Sequence, residues 1–101
     1  MVRAGKSRSS SVSLTCAQFR AITRAIADPR RYEILQHIAG NRACTCADLR
    51  KRSPITAATL SHHLKELQSA GLIAIARKGK FALPSFRRRV WKTYLTQLSE
   101  L

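Results

Sequence analysis

The chain has 101 residues, enough for one domain with a thin core, and 45% of them are hydrophobic, too many for a disordered chain. Nineteen Lys and Arg face five Asp and Glu, a formal net charge of +14. That self-repulsion is relieved by an anionic partner, most commonly nucleic acid and next an anionic membrane surface.

No apolar run approaches the roughly 20 residues that cross a bilayer, so an integral membrane protein is not expected. Ser9, Ser10 and Ser11 stand where a signal peptide carries its apolar stretch, which fits a cytoplasmic protein. Three Cys, an odd number, argue against a disulfide framework. Domains this small often gain burial by pairing, so a dimer is a reasonable expectation from size alone.

Residues 1–13 show no periodicity and read as a flexible basic arm, either a solvated tail or a phosphate contact. A single domain is expected over residues 14–101. Its first helix runs from Thr15 to Ala27: Thr15 with Gln18 is a capping-box pattern, and Phe19, Ile22 and Ile26 share one face. Asp28-Pro29 ends that helix and starts the next, Asp28 as cap and Pro29 as first helical residue. The second helix turns Ile34, Leu35 and Ile38 inward and stops at Gly40-Asn41.

A short third helix runs from Cys46 to about Arg52, capped by Thr45, with Asp48 in its first turn and Leu49 inward. Ser53-Pro54 breaks it. A fourth follows from Thr56 to Ala70 with Leu60, Leu64 and Leu67 on its apolar side. Gly71 and Leu72 stand where a Schellman stop needs them. Two short helices joined by a tight turn are a helix-turn-helix pattern. Ile73 and Ile75, a Lys78-Gly79-Lys80 turn, then Phe81 and Leu83 make a β-hairpin with a basic tip, which Pro84 should end. A last helix from about Phe86 presents Val90, Trp91, Tyr94, Leu95 and Leu98 as a wide apolar stripe. The expected fold is mainly α with a small β-hairpin, in the order α-α-α-α-β-β-α.

Opposite the leucines of the fourth helix stand Ala58, Ser61, His62 and Lys65, with Thr59 beside them. A solvated face would mix Glu, Lys and Gln; short, almost acid-free side chains suit a major groove better. There Ala58 allows close approach, hydroxyls and imidazole bond base edges, and Lys65 reaches phosphate or guanine. Thr56 and the N–H groups at the helix start can hold a backbone phosphate. Arg77, Lys78 and Lys80 on the hairpin fit phosphate contact. His62 and His63 point about 100° apart on a helix and cannot easily share a metal ion. His63 reads as a packed or capping residue. No triad, paired carboxylates or Gly-rich phosphate loop occurs, so no enzyme and no cofactor are expected.

The runs Ala27-Asp28-Pro29-Arg30-Arg31-Tyr32-Glu33-Ile34-Leu35 and Leu60-Ser61-His62-His63-Leu64-Lys65-Glu66-Leu67, with Ala70-Gly71-Leu72-Ile73, resemble the ArsR/SmtB family of bacterial winged-helix repressors. The resemblance covers roughly residues 14–101. It implies a winged helix-turn-helix homodimer paired through its first and last helices, here through Phe19, Ile22, Trp91, Tyr94, Leu95 and Leu98. It also implies recognition helices in adjacent major grooves of an inverted repeat, with wings along the backbone.

One metal site of that family uses a Cys-x-Cys pair at the third helix. Cys44-Thr45-Cys46 is similar but falls one residue early, and the third ligand position falls on Arg50. No metal ligand set is assigned. A thiol-based metalloid, metal or redox sensor built on Cys16, Cys44 and Cys46 is the alternative within the fold; otherwise these are small, partly buried side chains, with Cys46 more acidic than usual at a helix start. A second family site, Asp and His pairs on the last helix, has no counterpart. The other alternative is a nonspecific basic nucleic-acid-binding protein. The effector is not specified by the sequence, and Arg87, Arg88 and Arg89, opposing the dipole of the last helix, find no account in it.

Overall fold

The computed structural model describes residues 13–40, 45–52 and 55–101. Five helices and one hairpin follow in the expected order: α1 (Cys16–Ala27), α2 (Pro29–Gly40), α3 (Cys46–Arg52), α4 (Ala57–Ser69), β1 (Ile73–Lys78), β2 (Phe81–Phe86) and α5 (Arg88–Ser99). The expected arm and the loop holding Asn41 and Cys44 fall outside the described residues, as do Ser53 and Pro54; Ser13, where description begins, is exposed.

Each of the first four helices starts on a side-chain oxygen. Thr15 Oγ1 accepts from the Gln18 N–H at 3.0 Å. Asp28 Oδ1 accepts from the Arg30 and Arg31 N–H groups at 2.9 and 3.1 Å. Thr45 and Asp48 form a reciprocal capping box, Thr45 N–H to Asp48 Oδ2 at 2.9 Å and Asp48 N–H to Thr45 Oγ1 at 3.1 Å. Thr56 Oγ1 accepts from the Thr59 N–H at 3.1 Å. These bonds satisfy N–H groups that the helix itself leaves without acceptors.

The end of α4 is the Schellman stop read from Gly71. The Leu72 N–H reaches the Leu67 carbonyl at 3.0 Å, and the Gly71 N–H reaches that of Gln68 at 2.9 Å. Gly71 takes φ +83°, which an L side chain rarely adopts, so a glycine belongs there. The chain is thereby turned straight into β1.

β1 and β2 pair antiparallel from Ile73↔Phe86 to Lys78↔Phe81, leaving Gly79 and Lys80 as a two-residue turn with Gly79 at φ +62°. Two expectations are corrected here. Pro84 does not end β2 but lies within it, opposite Ile75. Counting alternate pairs from the turn, Ile75↔Pro84 is a non-hydrogen-bonded pair, so the missing N–H costs the ladder nothing. Phe86 belongs to β2 rather than to the last helix. The Arg87 N–H donates to the Leu72 carbonyl at 2.9 Å, and α5 begins only at Arg88.

The core gathers Ile22 and Ala25 of α1, Ile34, Leu35 and Ile38 of α2, Leu49 of α3, and Leu60, Leu64 and Leu67 of α4. Leu72, Ile73 and Tyr94 close it from the hairpin and α5. Burying each α4 leucine contributes about 1.5–3 kcal/mol, which fixes the rotation of that helix and so the side it shows to solvent.

Candidate nucleic-acid interface

Because Leu60, His63, Leu64 and Leu67 are buried, α4 shows Ala58, Thr59, Ser61, His62 and Lys65 outward, all exposed. The acid of this helix, Glu66, lies on the edge shared with Thr59. Thr56, also exposed, spends its hydroxyl locally: it caps the helix and donates to Thr59 Oγ1 at 3.0 Å. What the helix start presents is therefore mainly the N–H groups of Ala57 and Ala58.

Arg77, Lys78 and Lys80 are exposed on the hairpin, Lys78 as the last residue of β1 and Lys80 in the turn. Phe81, which the sequence marked only as a strand residue, is 50% exposed at the tip, with Lys80 Nζ 5.9 Å from its ring.

Ser61, Lys65 and Arg77 come together along a cleft of about 460 Å³ between α3, α4 and the hairpin. Ala58, His62, Lys78 and Lys80 are not among its lining, nor are Thr56 and Thr59 at the helix start. Arg50, from α3, joins the lining; the sequence marked it only as a non-ligand at the third metal position, and its place one turn after Cys46, which also lines the cleft, was the available sign. No carboxylate among the described residues lines this space.

His63 is packed, as read. Its Nδ1 accepts from Arg31 Nε at 3.5 Å, and burial, only partly opposed by the Asp28 carboxylate, pushes its pKa below the usual histidine value. Cys46 departs from expectation. Half-burial raises its thiol pKa above the ordinary value despite Arg77 nearby, where an acidic thiol was expected. Cys16 is exposed at the first turn of α1. Cys44 lies outside the described residues.

The apolar stripe of α5 divides in two. Tyr94 is 2% exposed and Ile22 of α1 0%, both closed over by their own chain, so neither lends surface to a partner. Phe19 and Trp91 are half-buried against Tyr94, with ring centroids 4.8 and 5.6 Å from it. Leu95 and Leu98 remain 43% and 38% exposed. Arg87, Arg88 and Arg89 are exposed, and Arg88 lies over the Phe86 ring at 5.2 Å. No helix among the described residues is long and apolar enough to cross a membrane.

A capped helix pair with a basic two-stranded wing beside its second helix defines a winged helix-turn-helix protein. The comparisons agree. A family model described as a helix-turn-helix domain matches residues 26–76. The transcriptional repressor SdpR of Bacillus subtilis is 35% identical over 69 residues, covering 68% of this chain and 76% of that protein. An ArsR-like transcriptional regulator from Rhodococcus superposes with a TM-score of 0.75 at 21% identity, over 83% of this chain and 78% of the other. So does the homodimeric winged helix-turn-helix DNA-binding domain of a possible ArsR-family regulator from Mycobacterium bovis, with a TM-score of 0.71 at 24% identity, over 97% and 90%. The chain belongs to the helix-turn-helix family of DNA-binding transcriptional regulators, and its fold is the ArsR-type winged helix.

Proposed function

We propose that this regulator is a cytoplasmic repressor that binds an inverted-repeat DNA operator as a homodimer. The observation that carries the reading is the division of α4 into a leucine side locked in the core and an outward side of short, polar, nearly acid-free residues. In the major groove, Ser61 and His62 read base edges, Ala58 permits close approach, and Lys65 takes phosphate or guanine. Thr56 fixes the start of α4, where the N–H groups of Ala57 and Ala58 and the Thr59 hydroxyl hold a backbone phosphate. Arg77, Lys78 and Lys80 follow the backbone beside the groove.

Repression is supported by the name of the Bacillus relative, and pairing by the homodimeric state of the mycobacterial neighbour. Leu95 and Leu98, flanked by half-buried Trp91 and Phe19, supply an apolar edge for the second copy.

Selection of bound sequences from random duplexes, with the full chain at about 0.15 M salt, tests the reading. An inverted repeat bound about 10³-fold or more above random DNA is expected. Uniform binding of all duplexes within a few-fold would leave only a nonspecific basic protein. Light scattering should give twice the chain mass, and a monomer at working concentration would overturn the pairing.

A further inference from the structure

The cleft between α3, α4 and the hairpin carries chemistry that phosphate contact does not use. Its wall is apolar, formed by Ala57 of α4, Ile75 of β1 and Ala82 of β2, to which the nearly buried Leu60 and Leu64 add only their edges. Cys46 adds to that wall, because burial keeps its thiol protonated. Around it stand three cations from three elements: Arg50 from α3, Lys65 from α4 and Arg77 from β1, without an acid among the described lining residues. The volume, about 460 Å³, falls within the range of small-molecule sites, roughly 300–1,000 Å³. A phosphate ribbon would meet the cations and leave the apolar wall unfilled.

We propose that this cleft is an effector site for a small organic anion, with a flat apolar body against Ala57, Ile75 and Ala82 and a carboxylate or sulfonate head on Arg50 and Arg77. The planar guanidinium forks suit such a head, and the body supplies the burial that a bare inorganic anion lacks. Ser61 and Lys65 belong both to the cleft lining and to the outward side of α4, so an occupied cleft opposes DNA binding. That coupling rests on the groove-facing reading of α4; anion binding itself does not.

The test uses naphthoate as the probe, titrated into the full chain without DNA and followed by amide proton–nitrogen spectra. Saturable shifts confined to α3, α4 and the hairpin are expected. Naphthalenemethanol, the same body without the charge, should bind about tenfold or more weakly. Ala82→Leu, which fills the cleft from β2, should weaken naphthoate about tenfold. Arg50→Gln, an exposed change that tests the site even if the leucine variant misfolds, should narrow the gap between acid and alcohol.

Shifts scattered over the basic surface, an equal response to acetate, or equal binding of acid and alcohol would overturn the site. In a second titration naphthoate should lower affinity for a selected duplex in wild type and less so in Ala82→Leu. An unchanged affinity would overturn the coupling while upholding the site. Absence of any preferred duplex would count against the reading of α4 alone.

Discussion

The hydroxyls of Thr23 and Tyr94 lie 2.7 Å apart, joining the middle of α1 to α5. Thr23 spends its own hydroxyl hydrogen on the Phe19 carbonyl at 3.1 Å, so Tyr94 is the donor between them. Tyr94→Phe keeps the ring against Phe19 and Trp91 and removes only this bond. A loss of about 0.5–1.5 kcal/mol in urea unfolding is expected, and the double variant with Thr23→Ala should cost less than the sum. Strict additivity would show that the two hydroxyls do not act together.

Asp28 sits between α1 and α2 with its carboxylate on two backbone N–H groups. The Arg31 N–H is the main reason its pKa is lowered, helped by the Arg30 N–H and the Arg31 guanidinium and opposed by desolvation. A depressed carboxylate pKa stabilises the fold above the unfolded value of about 3.8, and that stability is lost as pH falls through the folded value. Asp28→Asn keeps a capping oxygen but no charge, so its deficit at neutral pH should vanish in acid. Asp28→Ala should cost about 1 kcal/mol at pH 7, modest because the side chain is partly exposed. Unfolding curves of wild type and Asp28→Asn, followed from pH 7 downward through and below the unfolded value, decide it: the gap should close as acid is added.

Replacing His62 or Ser61 with Ala should relax sequence preference by roughly 1–3 kcal/mol, as expected for side chains at base edges. The measurement is affinity for the selected duplex against a random one. Equal loss on both would remove these residues from base reading.

Lys78→Ala or Lys80→Ala should weaken binding to all duplexes about equally. Each should flatten the slope of log affinity against log salt by about one unit, because each releases one counterion fewer. An unchanged slope would take the hairpin tip off the DNA.

Local chemistry was the part of this fold most legible in sequence. Thr15, Asp28 and Thr45 cap helices where their side chains reach the next turn, and Gly71 stops α4 through its own backbone; Thr56, read as the first residue of α4, is its cap instead. What escaped depends on distant neighbours. Whether Pro84 breaks or joins a strand is decided by which way its nitrogen faces in the register with Ile75, not by the proline itself. Phe86 stays in β2 because Ile73 pairs with it across the hairpin. The raised pKa of Cys46 reflects half-burial in the folded chain, which its place after Thr45 does not reveal. Likewise the stripe from Trp91 to Leu98 was visible, but not that Ile22 and Tyr94 are already covered from within. The outward residues of α4 could be named beforehand; the cleft they share with Arg50 could not, since three separate elements bound it.

Two of the five acids in this chain, Asp28 and Asp48, hold their carboxylates against backbone N–H groups, and the single ion pair among the described residues, Arg31 to Asp28, is 3.9 Å long. Most of the positive charge thus goes unanswered within the molecule. Adding sodium chloride should then have opposite effects on its two equilibria: ions that loosen its grip on a polyanion should quiet the mutual repulsion of its own arginines and lysines, raising its melting temperature.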